Sequence, residues 1–568
     1  MGIPSTVDVI VLGSGAAGLS AAIVARHYGA DVLMLERASV FGGSSAISGG
    51  VVWIPCNPLM ESVGHKDTPE AAREYIASVT GNRFRPDLVD AFIENGAAMV
   101  QFMHDHSALR FVPRAVAPDY YPDRPGALAG GRSLDPQIYD GRRLGPWFAR
   151  LRPPIREFLV LGGMMVNSRD IAHLMGTLRS PGDFRASSRL VLGYLAQRLR
   201  HPRGTRLVQG NSLVAQLLKS AVDTGVRMMS ACDVTGLGNA TGRADTVRFI
   251  HAGKEHIVTA RRGIVLAGGG APASADYVRK YTRTPDTHFT MAPAENSGGL
   301  LRLALDLGAQ LAEDVVDPVN YAPVSLHRKA DGTVARFPHL FLDRAKPGLI
   351  AVNTGGRRFV DEASSYHNFV NHMLDGAAGG TVPAWLICDE RFLRKYGMGL
   401  VRPGIYPRKP YLDSGYLRKA ATVEDLARSI GVPPEALAQT VSRHNGFAKT
   451  GVDEDFGKGS NIYDRYLGDA NVDPNPCLAP IENAPFYAVQ VFPGDIGTTV
   501  GLRTDGAARV LGRNGDPVAG LYAVGNDMNS VMSGTYPGSG ITLGPALTFG
   551  YIAGRALGLQ SIVPEGKE

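Results

Sequence analysis

Four cysteines in 568 residues (Cys56, Cys232, Cys388 and Cys477) are too few and too scattered for a disulfide framework, and no C-x-x-C pair occurs among them. That spacing offers neither a structural zinc site nor a redox dithiol, so no metal is expected, and a reducing compartment such as the cytoplasm is the simplest setting. No run reaches the roughly 18 consecutive apolar residues of a membrane span. The first residues lack a charged segment followed by an apolar core, which argues against a secretory leader. Internal repeats and the cysteine patterns of haem or iron–sulfur attachment are also missing. A net charge of +6 is modest for this length and gives no reason to expect nucleic acid as a partner. Glycine is plentiful, with 69 residues, and much of it is concentrated in a few turns.

The most informative turn is Gly13-Ser14-Gly15-Ala16-Ala17-Gly18. It follows a β-branched apolar run at residues 7–12, which reads as a buried parallel strand, and precedes a helical pattern running to Arg26. A second apolar run at residues 31–35 ends on Glu36. In this strand–turn–helix–strand unit, Gly13 permits the tight turn, Gly15 lets a pyrophosphate approach the backbone, and Gly18 allows close helix–strand packing. The helix N-terminus then offers unpaired N–H groups to phosphate, and Glu36 is placed to accept from a ribose. Only one such fingerprint occurs, so a separate nicotinamide domain is not expected and electrons must be exchanged with an outside partner.

Arg37 leads into a second glycine- and serine-rich stretch containing Gly43, Ser44, Ser45, Ser48, Gly49 and Gly50, which suits a cofactor larger than a nicotinamide dinucleotide. Ala267-Gly268 ends another buried strand. Near the C-terminus a strand runs into Gly525-Asn526-Asp527, polar groups suited to a ribitol, and Gly540-Ile541-Thr542-Leu543 opens a final helix whose N-terminus would face a flavin. These segments imply FAD bound by both chain ends. The expected architecture is α/β: a discontinuous Rossmann-like FAD-binding domain with a central parallel sheet (residues 1–285 and 491–568, with a helical insertion at about 127–205), carrying an inserted α+β catalytic cap at 286–490.

Residues 68–108 show helical patterning that starts at Thr68-Pro69-Glu70. Residues 185–206 mix Arg185, Arg189, Arg198, Arg200, Arg203 and Arg206 with leucines. The expected arrangement is a surface helix whose apolar side rests on the core; the alternative is peripheral contact with an anionic membrane, at its inner face.

The C-terminal run from Gly525 through Tyr536-Pro537-Gly538-Ser539-Gly540 to Ala546 resembles that of FAD-dependent 3-ketosteroid Δ1-dehydrogenases. So do residues 42–50, the Asp119-Tyr120-Tyr121-Pro122 loop, and the stretch from Gly356 to Tyr366. Fumarate reductases share the fold, but the arginine they carry four residues after the segment's glutamate is Tyr366 here. Neither their histidine near Thr498-Thr499 nor their late arginine near Tyr536 is present, so the implied substrate is a neutral ketone and not a dicarboxylate. The serine loop has no histidine for covalent flavin attachment. The resemblance implies that Tyr536 and the Gly540 N–H polarise the ketone, that Tyr366 is the base with help from Tyr120 or Tyr121, and that Tyr321 lines the pocket. It implies a small hydrophobic 3-ketosteroid as substrate and a quinone-like or other external acceptor. A Δ4-(5α) dehydrogenase, or an enone reductase acting on another cyclic ketone, is the alternative.

Overall fold

Strand Thr6–Leu12 is buried from Val7 onward because it lies at the middle of a sheet with partners on both sides. It pairs in parallel with Lys254–Leu266 on one flank and with Val32–Leu35 on the other. Arg227–Met229 and Pro517–Ala523 extend the parallel order outward. The C-terminal strand therefore joins the same sheet as the N-terminal one. The structure is a computed structural model that describes residues 2–560, except 178–179, 239–242, 377–378 and 405.

The two chain ends are also joined through helices. Helix Ala16–His27 packs along helix Leu543–Leu559, with Gly550 and Gly554 at the contact. A Cβ at Gly550 would sit 2.5 Å from the Ala17 carbonyl oxygen, and one at Gly554 would sit 2.5 Å from that of Ala21. Glycines one turn apart thus let the backbones meet.

A second sheet is built around strand Phe486–Thr498, which pairs antiparallel with Val319–Arg328, Ala384–Asp389 and Leu417–Ala420 and in parallel with Phe289–Thr290. Helix Tyr366–Asp375 packs on strand Val319–Arg328. The arginine of Gly356-Arg357-Arg358 that matters structurally is Arg358, which donates to Glu362 and Asp453 with all four contacts at 2.8–2.9 Å. Burial raises the Glu362 carboxyl, but Arg358 and Lys458 outweigh it and hold the group well below the usual carboxylate range. Its contribution is present at neutral pH and is lost as pH falls through that lowered range. Arg358→Ala leaves two buried carboxylates short of a partner and is expected to destabilise the fold by about 3–5 kcal/mol, read from urea unfolding.

Residues 68–108 form two helices, Pro69–Thr80 and Pro86–His106, separated by a 3₁₀ turn at Gly81–Arg83. Thr68 caps the first, accepting from Ala71 N at 3.1 Å. The arginine-rich stretch departs from expectation. Helix Pro181–Arg198 forms, but Phe184, Leu192 and Leu195 point to solvent, and the protein side is taken by Ser187 and Tyr194. Among the described residues no helix is long and apolar enough to cross a membrane.

Candidate active site

The glycine turn does what its spacing requires. Gly13 has φ +109°, and a Cβ there would lie 2.2 Å from the Ala267 carbonyl oxygen; a Cβ at Gly18 would lie 2.1 Å from that of Gly13. At Gly15 the nearest atom is Ser45 Oγ at 3.5 Å, an ordinary contact, so this position is uncrowded. Helix Ala16–His27 begins with no side-chain cap and no acid in its first turn, which leaves N–H groups for an anion. This cradle fits a dinucleotide pyrophosphate.

A cavity of about 1670 Å³ opens from the turn. That exceeds the ~300–1,000 Å³ of a site for one drug-sized ligand, leaving room for a dinucleotide and a second molecule. Ser14, Gly15, Ala16 and Ala17 line it, together with Glu36, Arg37, Gly43, Ser44, Ser45, Ser48 and Gly49. From the other parts of the chain come Ala267, Gly268, Gly525, Asn526, Asp527, Thr542 and Leu543.

Four expected cofactor residues stand behind the wall, among them Gly540, packed against Val51 and Trp53. Gly18 is packed against Gly13, Ile541 is buried, and Gly50 presses its backbone against Gln209 and Gly210. Glu36 is buried at the wall, its carboxylate accepting from the Ser14 N–H and hydroxyl and from Ala38 N. It braces the phosphate turn as well as facing the cavity. Asp527 accepts from the N–H groups of Gly268 and Gly270; burial pushes its carboxyl up to about 6, with those donors opposing.

Sequence patterns did not single out Glu295-Asn296-Ser297-Gly298-Gly299, which also lines the cavity. Asn296 Nδ2 donates to Ser44 Oγ at 3.0 Å, tying this segment to the serine loop. A polar turn running into glycines just before helix Gly299–Asp306 was the available signal.

At one end of the cavity lies a cluster of tyrosines. The rings of Tyr120, Tyr366 and Tyr536 are 5.1–5.7 Å apart, and the Tyr120 and Tyr366 hydroxyls are 3.4 Å from each other. Tyr463 packs on Tyr120 at 4.7 Å. Tyr120 and Tyr463 line the cavity, while Tyr366 and Tyr536 stand behind them. The phenol of Tyr366 is driven up by burial and then by its neighbours Tyr120 and Tyr536. Burial pushes Tyr536 up to about 12, opposed by hydrogen bonds from Tyr366 and Thr542.

Tyr366 opens helix Tyr366–Asp375, whose N-cap Ser365 accepts from Asn368 N. The Tyr536 loop is held by its neighbour Pro537, whose carbonyl accepts from Tyr120 N at 2.9 Å and the Tyr75 hydroxyl at 2.6 Å. Buried Arg132 bridges Asp67 and Asp119, and Asp119 accepts from Trp53 Nε1. Trp53 N in turn donates to Gly540 O at 3.1 Å. The Gly540 N–H itself makes no hydrogen bond within the described residues. The backbone there has φ +100°, and a Cβ would come within 2.6 Å of Val51 O, so residue 540 must be glycine.

Two expected residues lie elsewhere. Tyr121 turns away from the cluster because its hydroxyl donates to Asn368 Oδ1 at 2.8 Å, and it lines a separate small pocket. Tyr321 is buried in strand Val319–Arg328 beside His367, 5.5 Å between rings, and does not line the main cavity. His367 is engaged with Asp317, and His339 with Asp343 and Ser325, so both are structural.

Fold and site together define a flavin-dependent oxidoreductase with FAD as its cofactor, and the FAD binding domain family matches residues 8–543. The chain is 36% identical over 559 residues, 96% of each chain, to the 3-oxosteroid 1-dehydrogenase of Mycolicibacterium smegmatis. It is 37% identical over 557 residues to the 4-oxocyclohex-2-ene-1-carboxylate 5-dehydrogenase of Sinomonas cyclohexanicum, covering 96% of this chain and 93% of that one. The 3-ketosteroid Δ1-dehydrogenase of Sterolibacterium denitrificans, solved in complex with 1,4-androstadiene-3,17-dione, superposes with a TM-score of 0.91 at 37% identity, covering 98% of this chain and 100% of that one. The chain belongs to the 3-oxosteroid 1-dehydrogenase family of FAD enzymes.

Proposed function

We propose that this enzyme introduces a C1–C2 double bond into 3-ketosteroids. The observation that carries the reading is the buried Tyr120–Tyr366–Tyr536 cluster at the cavity wall, with the unpaired Gly540 N–H four residues after Tyr536 in the same loop. The Tyr536 hydroxyl and the Gly540 N–H donate to the C3 carbonyl oxygen and stabilise the charge that develops there. Polarisation acidifies the C2–H bond, and the Tyr366 oxygen takes that proton. The Tyr120 hydroxyl, 3.4 Å from that of Tyr366, is the neighbouring group placed to assist the base. The phosphate turn and serine loop would hold FAD without a covalent bond, and the bound flavin would supply the acceptor for the hydride leaving C1. A quinone-like or other external molecule serves as the electron acceptor. Phe337, Leu340 and Phe341 give the cavity an apolar wall suited to a steroid.

Because Tyr366 is raised above the ordinary phenol range, its basic form is scarce at neutral pH. Turnover is therefore expected to rise about tenfold per pH unit from roughly pH 7 towards pH 10, without a plateau. A flat profile across that range would rule out a phenolate base.

The reading is tested by mixing the yellow enzyme anaerobically with androst-4-ene-3,17-dione and following the flavin absorbance. Bleaching with a 1,4-diene product supports it. Bleaching only by a saturated 5α-3-ketosteroid would transfer the reading to Δ4-(5α) chemistry. Bleaching only by 4-oxocyclohexanecarboxylate would make the substrate a small keto acid.

A further inference from the structure

Three arginines are buried among the described residues: Arg132, Arg344 and Arg358. Arg132 pairs with Asp67 and Asp119, and Arg358 with Glu362 and Asp453. Arg344 differs. It is 2% exposed, and its guanidinium donates only to backbone carbonyls. Its Nε reaches His339 O at 2.7 Å, one terminal nitrogen reaches Glu362 O at 2.8 Å and Ser364 O at 3.1 Å, and the other reaches Leu340 O at 3.1 Å. Among the described residues no carboxylate forms an ion pair with it. A buried cation with neutral partners alone lacks the attraction that would offset its loss of hydration.

This charge stands at the entry to the helix that carries Tyr366. Glu362 and Ser364 lie four and two residues before Tyr366, and the guanidinium carbon is 4.9 Å from the ring of Phe369, on the first turn of helix Tyr366–Asp375. A cation at a helix N-terminus is disfavoured by the helix dipole, so the arrangement favours an anion close by. Burial lowers the guanidinium, opposed in turn by Tyr463, Asp343, Asp361 and Tyr120, which places two members of the tyrosine cluster within electrostatic reach. The neighbouring carboxyls are occupied elsewhere. Asp343 faces His339 Nδ1 and Gly399 N, and Glu362 faces Arg358 and Lys458. Burial, assisted by Glu362, pushes Asp361 up; burial, assisted by Asp361, does the same to Asp464 beside Tyr463, so these two carboxyls hold on to a proton.

We propose that Arg344 is a positioning residue for the tyrosine base: it braces the segment that enters Tyr366 and supplies the positive charge that favours the anionic form of the tyrosine cluster. The role rests on the function proposed above, in which the Tyr366 oxygen takes the C2 proton. A phenol among apolar groups and other phenols ionises only at high pH, because burial disfavours the charged form; a cation nearby favours it. Arginine suits the place better than lysine, since it stays protonated when buried and at the alkaline pH where a phenol ionises.

The test compares Arg344→Gln and Arg344→Lys in the FAD-loaded enzyme, read as the rate of anaerobic bleaching by androst-4-ene-3,17-dione from about pH 6 to about pH 10. Arg344→Gln should displace the rise with pH upward by about one unit, a rate about tenfold lower at each pH, with flavin content unchanged. Arg344→Lys should keep at least about a third of the wild-type rate at the acid end and fall towards the glutamine variant as the lysine loses its proton. In a Tyr366→Phe background Arg344→Gln should cost less than about twofold, because the group it acts through is gone. Equal losses in the two variants at every pH would make Arg344 a brace alone and overturn the proposal. So would a tenfold loss that persists in the Tyr366→Phe background. If the glutamine variant does not fold, the ratio of the lysine variant to wild type decides, and a ratio constant with pH overturns the proposal. Wild-type turnover by Tyr366→Phe alone would remove the proposed base itself, and this role with it.

Discussion

Tyr366→Phe is expected to retain FAD and to lose about 10²–10⁴-fold in turnover, the range for removing a positioned proton-transfer group. The substitution deletes one oxygen from a side chain whose ring stays packed against Phe341, 5.5 Å away, and against Tyr120 and Tyr536. The phosphate turn and serine loop are untouched, so flavin content measured by absorbance should match the wild type. The loss should fall on the reductive half-reaction, read as the rate of anaerobic bleaching. The remaining activity should also lose its rise with pH, because the group whose ionisation causes that rise is gone. Turnover within about threefold of wild type, with FAD bound, would remove Tyr366 from the role of base.

Tyr536→Phe is expected to cost about 10²–10³-fold in kcat, the range for losing one donor to a developing oxyanion. In the proposed reaction this hydroxyl acts on a different atom of the substrate from that of Tyr366, and the two variants should differ in their signatures. Loss of the donor leaves the base in place, so the rise of activity with pH should persist at a lower level. The KM should change little, since a donor to a charge that forms only in the transition state contributes little to ground-state binding. The Gly540 N–H remains as the second donor, which is why the loss should be partial. A large increase in KM with unchanged kcat would instead make Tyr536 a ground-state binding residue.

Both tyrosines are legible in the sequence through motifs that resemble a known family, yet their neighbours are legible only in part. The adjacent Tyr120 and Tyr121 carry the same chemistry, and local sequence gives no reason to prefer either. The choice is made by contacts more than 240 positions away: Tyr121 is held by Asn368, while Tyr120 meets Tyr366. Tyr463 and Asn296 escape notice for the same reason, as each reaches the cavity from a segment without a motif of its own. For Tyr321 the family resemblance and an unspecific Asn-Tyr-Ala-Pro context suggest the pocket, whereas packing against His367 puts it behind the wall.

Features that depend on backbone sterics and local periodicity follow from the order of residues alone. These include the phosphate turn, where Gly13 and Gly18 leave no room for a Cβ, the apolar strands beside it, and the helix starts at Thr68 and Gly15. The apolar stripe of helix Pro181–Arg198 belongs with them. Which way that stripe faces is set by long-range packing instead. Periodicity records that one side of a helix differs from the other, while its orientation depends on what the polar side meets; here Ser187 and Tyr194 find buried backbone carbonyls and turn the leucines outward.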